Sequence, residues 1–277
     1  MRALGKQLAS RPFSRTPRPE YFEMQQAVRK LAFPVRDGET DFYAGPMIGA
    51  EALAARFTEN GSGAVRAAHS LLERLSPDDY TRYLLRYYET GLANFGEGWP
   101  YADIVTVLLG LTTELEPESY LEIGVRRGRS ACALASRAPN CSMLLFDKWL
   151  GNYAGMENPG PDLVRSELAK ISHRGVVEFV EGDSHVTLPR YFAEHPDAAF
   201  DLITVDGDHS DRGAAQDLAD VLPRLKIGGA IVFDDIAHPA HPGLRDVWQR
   251  LVEADRRFST WSFDSVGFGV GFALRKY

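Results

Sequence analysis

The sequence predicts an α/β fold in which an N-terminal helical region precedes a seven-stranded sheet. Three observations carry this expectation. After about residue 100, strand-like and helix-like segments alternate through five successive units. The final two strand-like segments, STWSFD and VGFGVGFAL, are separated by only a short turn. Between about residues 21 and 98 the apolar spacing is helical and strand signal is scarce.

Residues 1–20 carry Arg2, Lys6, Arg11, Arg15 and Arg18, with no acid before Glu20. Pro12, Pro17 and Pro19 complete the pattern of a flexible basic arm. Such an arm is either a solvated tail or a segment that closes over a site or reaches a neighbouring subunit. Residues 21–99 form a helical cap region. There EMQQAVRKLAF, GAEALAARF, AVRAAHSLLERL and PDDYTRYLLRYYETGL place apolar residues at i, i+3 and i+4. Ser76, ahead of Pro77-Asp78-Asp79, reads as an N-cap followed by a first-turn proline. The stripe Tyr80, Tyr83, Tyr87, Tyr88 reads as packing surface.

Residues 100–277 form the third region. A helix opens near Pro100, and SYLEIGV leads into a helix through ACALASRA. SMLLFD, VVEFVEGD, FDLITVDGD and GGAIVFDDI follow as strands, each with a helix after it. Repeated βα units build a parallel sheet covered on both faces. The closing pair folds as an antiparallel hairpin at the sheet edge. The predicted architecture is therefore Rossmann-like: five parallel βα units plus a C-terminal antiparallel hairpin.

Composition narrows the function. Of 277 residues, 44% are hydrophobic and 25% charged, the balance of an ordinary globule with a sizeable core. Lys and Arg total 31 against 38 Asp and Glu, a net charge of −7. That sign argues against nucleic acid or an anionic membrane as the main partner. Two cysteines, Cys132 and Cys141, give no disulfide framework and fit a reducing cytoplasm. No apolar run has the ~18–20 residues of a membrane helix. The basic start has no continuous apolar stretch and does not read as a secretory signal.

In an open α/β sheet, ligands bind beyond the carboxyl ends of the strands. The first such end reads Glu122-Ile-Gly124-Val-Arg-Arg-Gly128-Arg-Ser130. Its glycines allow a tight turn and close backbone approach at a helix N-terminus. It is not the G-x-G-x-x-G of dinucleotide enzymes. Its acid would repel a pyrophosphate and suits a cationic ligand, such as a sulfonium; a plain strand–helix turn reads equally well. The second strand ends at Asp147, placed to accept ribose hydroxyls. The third ends in Glu181-Gly182-Asp183-Ser184, placed to meet an adenine. Each acid alone reads as a helix cap; three at successive strand ends point to a nucleoside site.

The fourth and fifth strands end in Asp206, Asp208 and His209, and in Asp234, Asp235, His238 and His241. Carboxylates converging in one crevice repel unless a cation joins them. An all-oxygen set favours a hard ion such as Mg²⁺. The competing reading is that Asp234 and Asp235 cap the next helix. His238 and His241 line an acceptor site or belong to a loop. His69, His173, His185 and His195 read as surface or helix-end residues. Trp99 and Tyr101 either close over a cofactor or pack in the core.

On E-x-G-x-x-x-G, the acid after the second strand, GDS, DGDH and Asp234-Asp235, residues 100–277 resemble class I S-adenosylmethionine-dependent methyltransferases. The two-site pattern is similar to the metal-dependent O-methyltransferases. It resembles most the sugar O-methyltransferases of macrolide and aminocoumarin biosynthesis and the related cephalosporin-hydroxylase-like proteins. The resemblance implies that Glu122, Gly124, Gly128 and Ser130 lie along the methionine part of the cofactor. It implies Asp147 at the ribose, Asp183 and Ser184 at the adenine, and Asp206 beside both ligands. It implies a metal on Asp206, Asp234 and Asp235, with His209 as general base. Phenolic members often carry Asp-Asn where this chain has Asp234-Asp235, which leans away from catechol-like acceptors.

The implied reaction is methylation of a hydroxyl on a small metabolite, such as a natural-product sugar, by a cytoplasmic homo-oligomer, a dimer or larger. The residues before 100 match no family pattern, and substrate choice in this family is usually built there. Two other readings compete: a nicotinamide oxidoreductase on the same sheet, and a non-catalytic cofactor-binding protein. The missing G-x-G-x-x-G counts against the first and the intact acids with His209 against the second. A nucleic-acid methyltransferase would need a basic face that only the first ~36 residues supply.

Overall fold

The computed structural model describes residues 47–58, 63–152 and 157–277. The basic arm and the helix read at EMQQAVRKLAF lie outside the described residues. Four helices come first: α1 (Ala50–Thr58), α2 (Ala64–Leu72), α3 (Asp79–Phe95) and α4 (Ile104–Leu115). Strands and helices then alternate: β1 (Ser119–Ile123), α5 (Arg129–Arg137), β2 (Ser142–Asp147), α6 (Pro161–Lys170), β3 (Val177–Glu181) and α7 (Ser184–Glu194). The remainder is β4 (Phe200–Val205), α8 (Asp211–Val221), β5 (Leu225–Asp234), α9 (Gly243–Trp248), β6 (Phe258–Phe263) and β7 (Val270–Arg275). A π turn over Gln249–Glu253 extends α9.

The seven strands form one sheet in the order β3-β2-β1-β4-β5-β7-β6. The first five pair in parallel, and β7 runs antiparallel to both β5 and β6. This is the predicted α/β, Rossmann-like architecture, closed by its C-terminal hairpin. The direction of strand order reverses at β1, between β2 and β4, the position where open sheets leave a crevice.

Alternation along the strands divides the core. Tyr120, Leu145, Leu202 and Val232 face one layer, packed with α1, α2, α4 and α5. Leu121, Ile123, Phe146, Ile203 and Phe233 face the other, under α7, α8 and α9. Side chains of period two supply both layers, so the strands read as nearly continuous apolar runs. The early helices share their core with the sheet: Leu53, Phe57 and Leu72 belong to the cluster that holds Val232 and Phe272.

Two helix starts differ from the sequence expectation. The cap of α3 is Asp78, whose carboxylate accepts from the Thr81 N–H at 2.7 Å and from its hydroxyl at 2.6 Å. Ser76 lies outside the helix, its N–H donating to Glu167 at 2.9 Å. The helix expected near Pro100 starts at Ile104 instead. There Asp103 and Thr106 form a reciprocal capping box, and a cap that satisfies two orphan groups outcompetes an initiating proline.

Candidate active site

A cavity of about 690 Å³ opens over the carboxyl ends of β1 to β5. It begins at Gly124, whose positive φ of 88° and want of a side chain both matter. A Cβ there would drive into the Asp206 carbonyl, so only glycine lets the β1 and β4 loops meet. The Gly124 N–H reaches Phe146 O at 2.9 Å and the Asp206 N–H reaches Ile123 O at 2.8 Å. The two halves of the crevice floor are thus tied through one residue pair.

Of the expected cofactor residues, Gly124, Ser130, Asp147, Ser184 and Asp206 line this cavity. Glu122, Gly128 and Asp183 do not. Glu122 lies fully buried beneath the floor. Its carboxyl accepts from the Ser130 hydroxyl and from Tyr120 Oη, the latter at 3.0 Å, and Tyr120 also meets Thr204 Oγ1 at 2.8 Å. Burial pushes Glu122 up to about 8, against the pull of those two hydroxyls. Gly128 takes up a left-handed turn against Val164. Asp183 caps α7 and pairs with Lys148 at 2.9 Å.

Asp147 sits on the cavity wall with each oxygen held by a backbone N–H, Arg126 at 2.6 Å and Trp149 at 2.6 Å. These bonds fix the carboxylate's direction and leave lone pairs for further donors.

The acidic end of the cavity contains Asp206, Asp208, His209, Asp234 and Asp235, with His238 and His241 beside them. Asp206, His209 and Asp235 each offer one ligand atom, all within 4.8 Å of one another. His209 Nε2 lies 3.2 Å from Asp206 Oδ1 and its Nδ1 3.7 Å from Asp235 Oδ2. Hydrogen bonding to Asp206 raises the basicity of His209 above its usual value, against the effect of burial. Burial, with Asp206 next, lifts Asp235 to about 7 and Asp234 well above the normal carboxylate range. Of the residues expected to hold a metal, Asp206 and Asp235 belong to this tight group together with His209, and Asp234 lines the same cavity. His241 packs edge-on against His209 at 5.0 Å between ring centroids, and His238 follows at 5.0 Å.

Several lining residues were not singled out from the sequence. Arg126, Arg127 and Arg129 occupy the glycine-flanked turn itself. Their signal in the sequence is three arginines within four positions. Tyr80 and Tyr101 face the cavity, whereas Trp99 packs against Tyr101 with centroids 4.7 Å apart and stays outside it. Of the tyrosine stripe, Tyr88 is fully buried and donates to Asp103. Phe268 reaches the cavity from the β6–β7 turn and lies 4.3 Å from His238, a meeting of distant segments that no local pattern announces.

The crevice of the doubly covered sheet lies where the strand order reverses. Residues 121–236 match the family model described as a methyltransferase domain. The fold is shared with the O-methyltransferase TomG from Streptomyces achromogenes, solved in complex with SAM. That protein is 20% identical over 73% of this chain and 92% of its own, with a TM-score of 0.51. An O-methyltransferase from Bacillus cereus in complex with SAH is 19% identical over 78% of this chain and 100% of its own, also at 0.51. Comparison with curated proteins found no match. Among the described residues no helix is long and apolar enough to cross a membrane.

Proposed function

We propose that the protein methylates a hydroxyl oxygen of a small metabolite, with a divalent cation held at the acidic end of the crevice. The carrying observation is the convergence of Asp206, His209 and Asp235 within 4.8 Å in the cavity that also contains Gly124, Ser130, Asp147 and Ser184. TomG, similar in fold, is an O-methyltransferase involved in tomaymycin synthesis, which supports oxygen as the acceptor atom and a natural-product setting.

Gly124 and Ser130 would hold the methionine part of the cofactor, with Glu122 and Gly128 supporting the turn; Asp147 would hold its ribose, and Ser184 and Asp183 its adenine. The carboxylates of Asp206, Asp235 and Asp234 would hold a hard divalent ion such as Mg²⁺, with the His209 imidazole beside it left free of the ion. Bound there, such an ion supplies Lewis-acid polarisation of an acceptor hydroxyl.

The rest is done by the chain. The crevice holds the acceptor oxygen in line with the methyl carbon and excludes water. The acceptor O–H bond breaks as His209 takes the proton. The new O–C bond forms as the S–C bond breaks, and neutral S-adenosylhomocysteine leaves. General-base assistance of this kind is worth about 10²–10⁴-fold.

The test is a pair of variants read by two assays. Asp206→Asn and His209→Gln are expected to lose methyl transfer about 100-fold or more, with S-adenosylhomocysteine binding by calorimetry nearly unchanged. Asp147→Asn is expected to weaken that binding. Loss of cofactor binding in Asp206→Asn would move Asp206 into the cofactor site and overturn the assignment.

A further inference from the structure

We propose that Asp217 of α8 is a positioning residue for cofactor binding: buried behind the crevice wall, it ties Ser184 at the start of α7 to the Gly207–Asp208 stretch after β4. Asp217 is fully buried and lines no part of the cavity, whereas Ser184, Gly207 and Asp208 do. Its Oδ2 accepts from the Asp208 N–H at 3.5 Å. Gly207 leaves the space for it, since a Cβ there would come within 2.9 Å of Oδ2. Burial pushes the Asp217 carboxyl up, and the Ser184 hydroxyl, hydrogen-bonded to it, pulls the other way.

The other oxygen meets a different partner. Oδ1 is buried without a hydrogen bond and faces His185 Nε2 at 3.4 Å. Among the described residues His185 is the one basic side chain within 4.0 Å of this carboxylate. The same nitrogen lies 3.1 Å from the Gly213 carbonyl, and Nδ1 lies 3.5 Å from Asp183. The imidazole therefore sits between the cap of α7 and the buried acid of α8, outside the cavity.

Packing alone does not explain an acid at this position. The buried face of α8 is otherwise Gly213, Ala214, Leu218 and Val221, so an apolar side chain at 217 would complete it without the cost of burying a carboxylate. What the carboxylate adds is a link the sheet lacks. Ser184 follows β3 and Gly207 follows β4, and in the sheet β2 and β1 lie between those strands. No strand pairing joins the two ends, and Asp217 reaches both. A wall held in one geometry before the ligand arrives binds it at less cost.

The inference rests on the placement of the cofactor beside Ser184, and the test separates the two. Calorimetry with S-adenosylhomocysteine compares the native protein with Ser184→Ala, Asp217→Asn and the double variant. Asparagine keeps the size of the side chain and replaces one acceptor with an N–H donor. Asp217→Asn is expected to weaken binding about tenfold, the weight of one hydrogen bond to a charged group. The double variant is expected to lose less than the two single losses combined, because effects that pass through a shared contact do not add. Unchanged affinity in Asp217→Asn, whatever its thermal midpoint, or fully additive losses overturn the proposal and leave Asp217 as a packing feature of α8. Should Asp217→Asn fail to fold, His185 gives the same test from a partly exposed position. His185→Leu is expected to weaken binding severalfold although His185 touches no part of the cavity, and His185→Gln, which keeps a donor toward Asp217, to restore most of the loss. Unchanged affinity in His185→Leu, or equal losses in both His185 variants, overturns the proposal in that case. Unchanged affinity in Ser184→Ala alone overturns the cofactor placement, and the proposal falls with it.

Discussion

Glu122 shows how burial and sequence position combine in a single side chain. Its place before the first glycine made it legible as a site acid, but period two along β1 turns it into the layer below the crevice. Its carboxyl is raised from the ordinary 4.5 to about 8, so the folded protein keeps that proton over a range where the unfolded chain has lost it. The group's contribution is therefore least costly below about pH 4.5, and stability falls as pH rises toward 8. Glu122→Gln is expected to match the native protein near pH 5 and to exceed it by a few kcal/mol near pH 9, measured by chemical unfolding at both. Equal pH slopes for the two proteins would show that Glu122 is ionised throughout. Gly124 gives the second prediction at this scale. An alanine there meets the Asp206 carbonyl and an unfavourable φ of 88°, so Gly124→Ala should cost about 1–3 kcal/mol or more and weaken S-adenosylhomocysteine binding. Thermal unfolding and calorimetry check both parts.

At the scale of elements, the caps were less legible than the helices. The i, i+3, i+4 spacing located the bodies of α2 and α3, while prolines suggested starts that Asp78 and Asp103 take instead. Asp103 shows why local reading stops short. It caps α4 through Thr106, and it also accepts from Tyr88 of α3 and from Tyr101 at 3.2 Å. Asp103→Ala is expected to cost about 2–4 kcal/mol, through a lost cap and a buried tyrosine hydroxyl left without its partner. A urea midpoint no lower than that of the native protein would contradict this account. The turn between β1 and α5 was legible as a ligand loop from its glycines. Its arginines meet Asp78 and Tyr80, which come from the start of α3.

For the whole molecule, the sheet order places residues from five strand ends around one cavity. The cation reading makes a prediction at this scale, because an ion that binds only the folded state stabilises all of it. Mg²⁺ at 100 times its dissociation constant should add about 2.7 kcal/mol. The corresponding rise in thermal midpoint should vanish in Asp235→Asn and on addition of EDTA. A rise of equal size in that variant would place the ion elsewhere. The alternation of strands with helices, the closing hairpin and the acids at the strand ends were all determined by the sequence, since each depends on local period or on position along one strand. Which acids share a wall, that His209 lies between Asp206 and Asp235, and that Glu122 sits below the floor were decided by tertiary structure alone. Those relations depend on strand order and on helices packing across the crevice, and neither is encoded in the spacing of neighbouring residues.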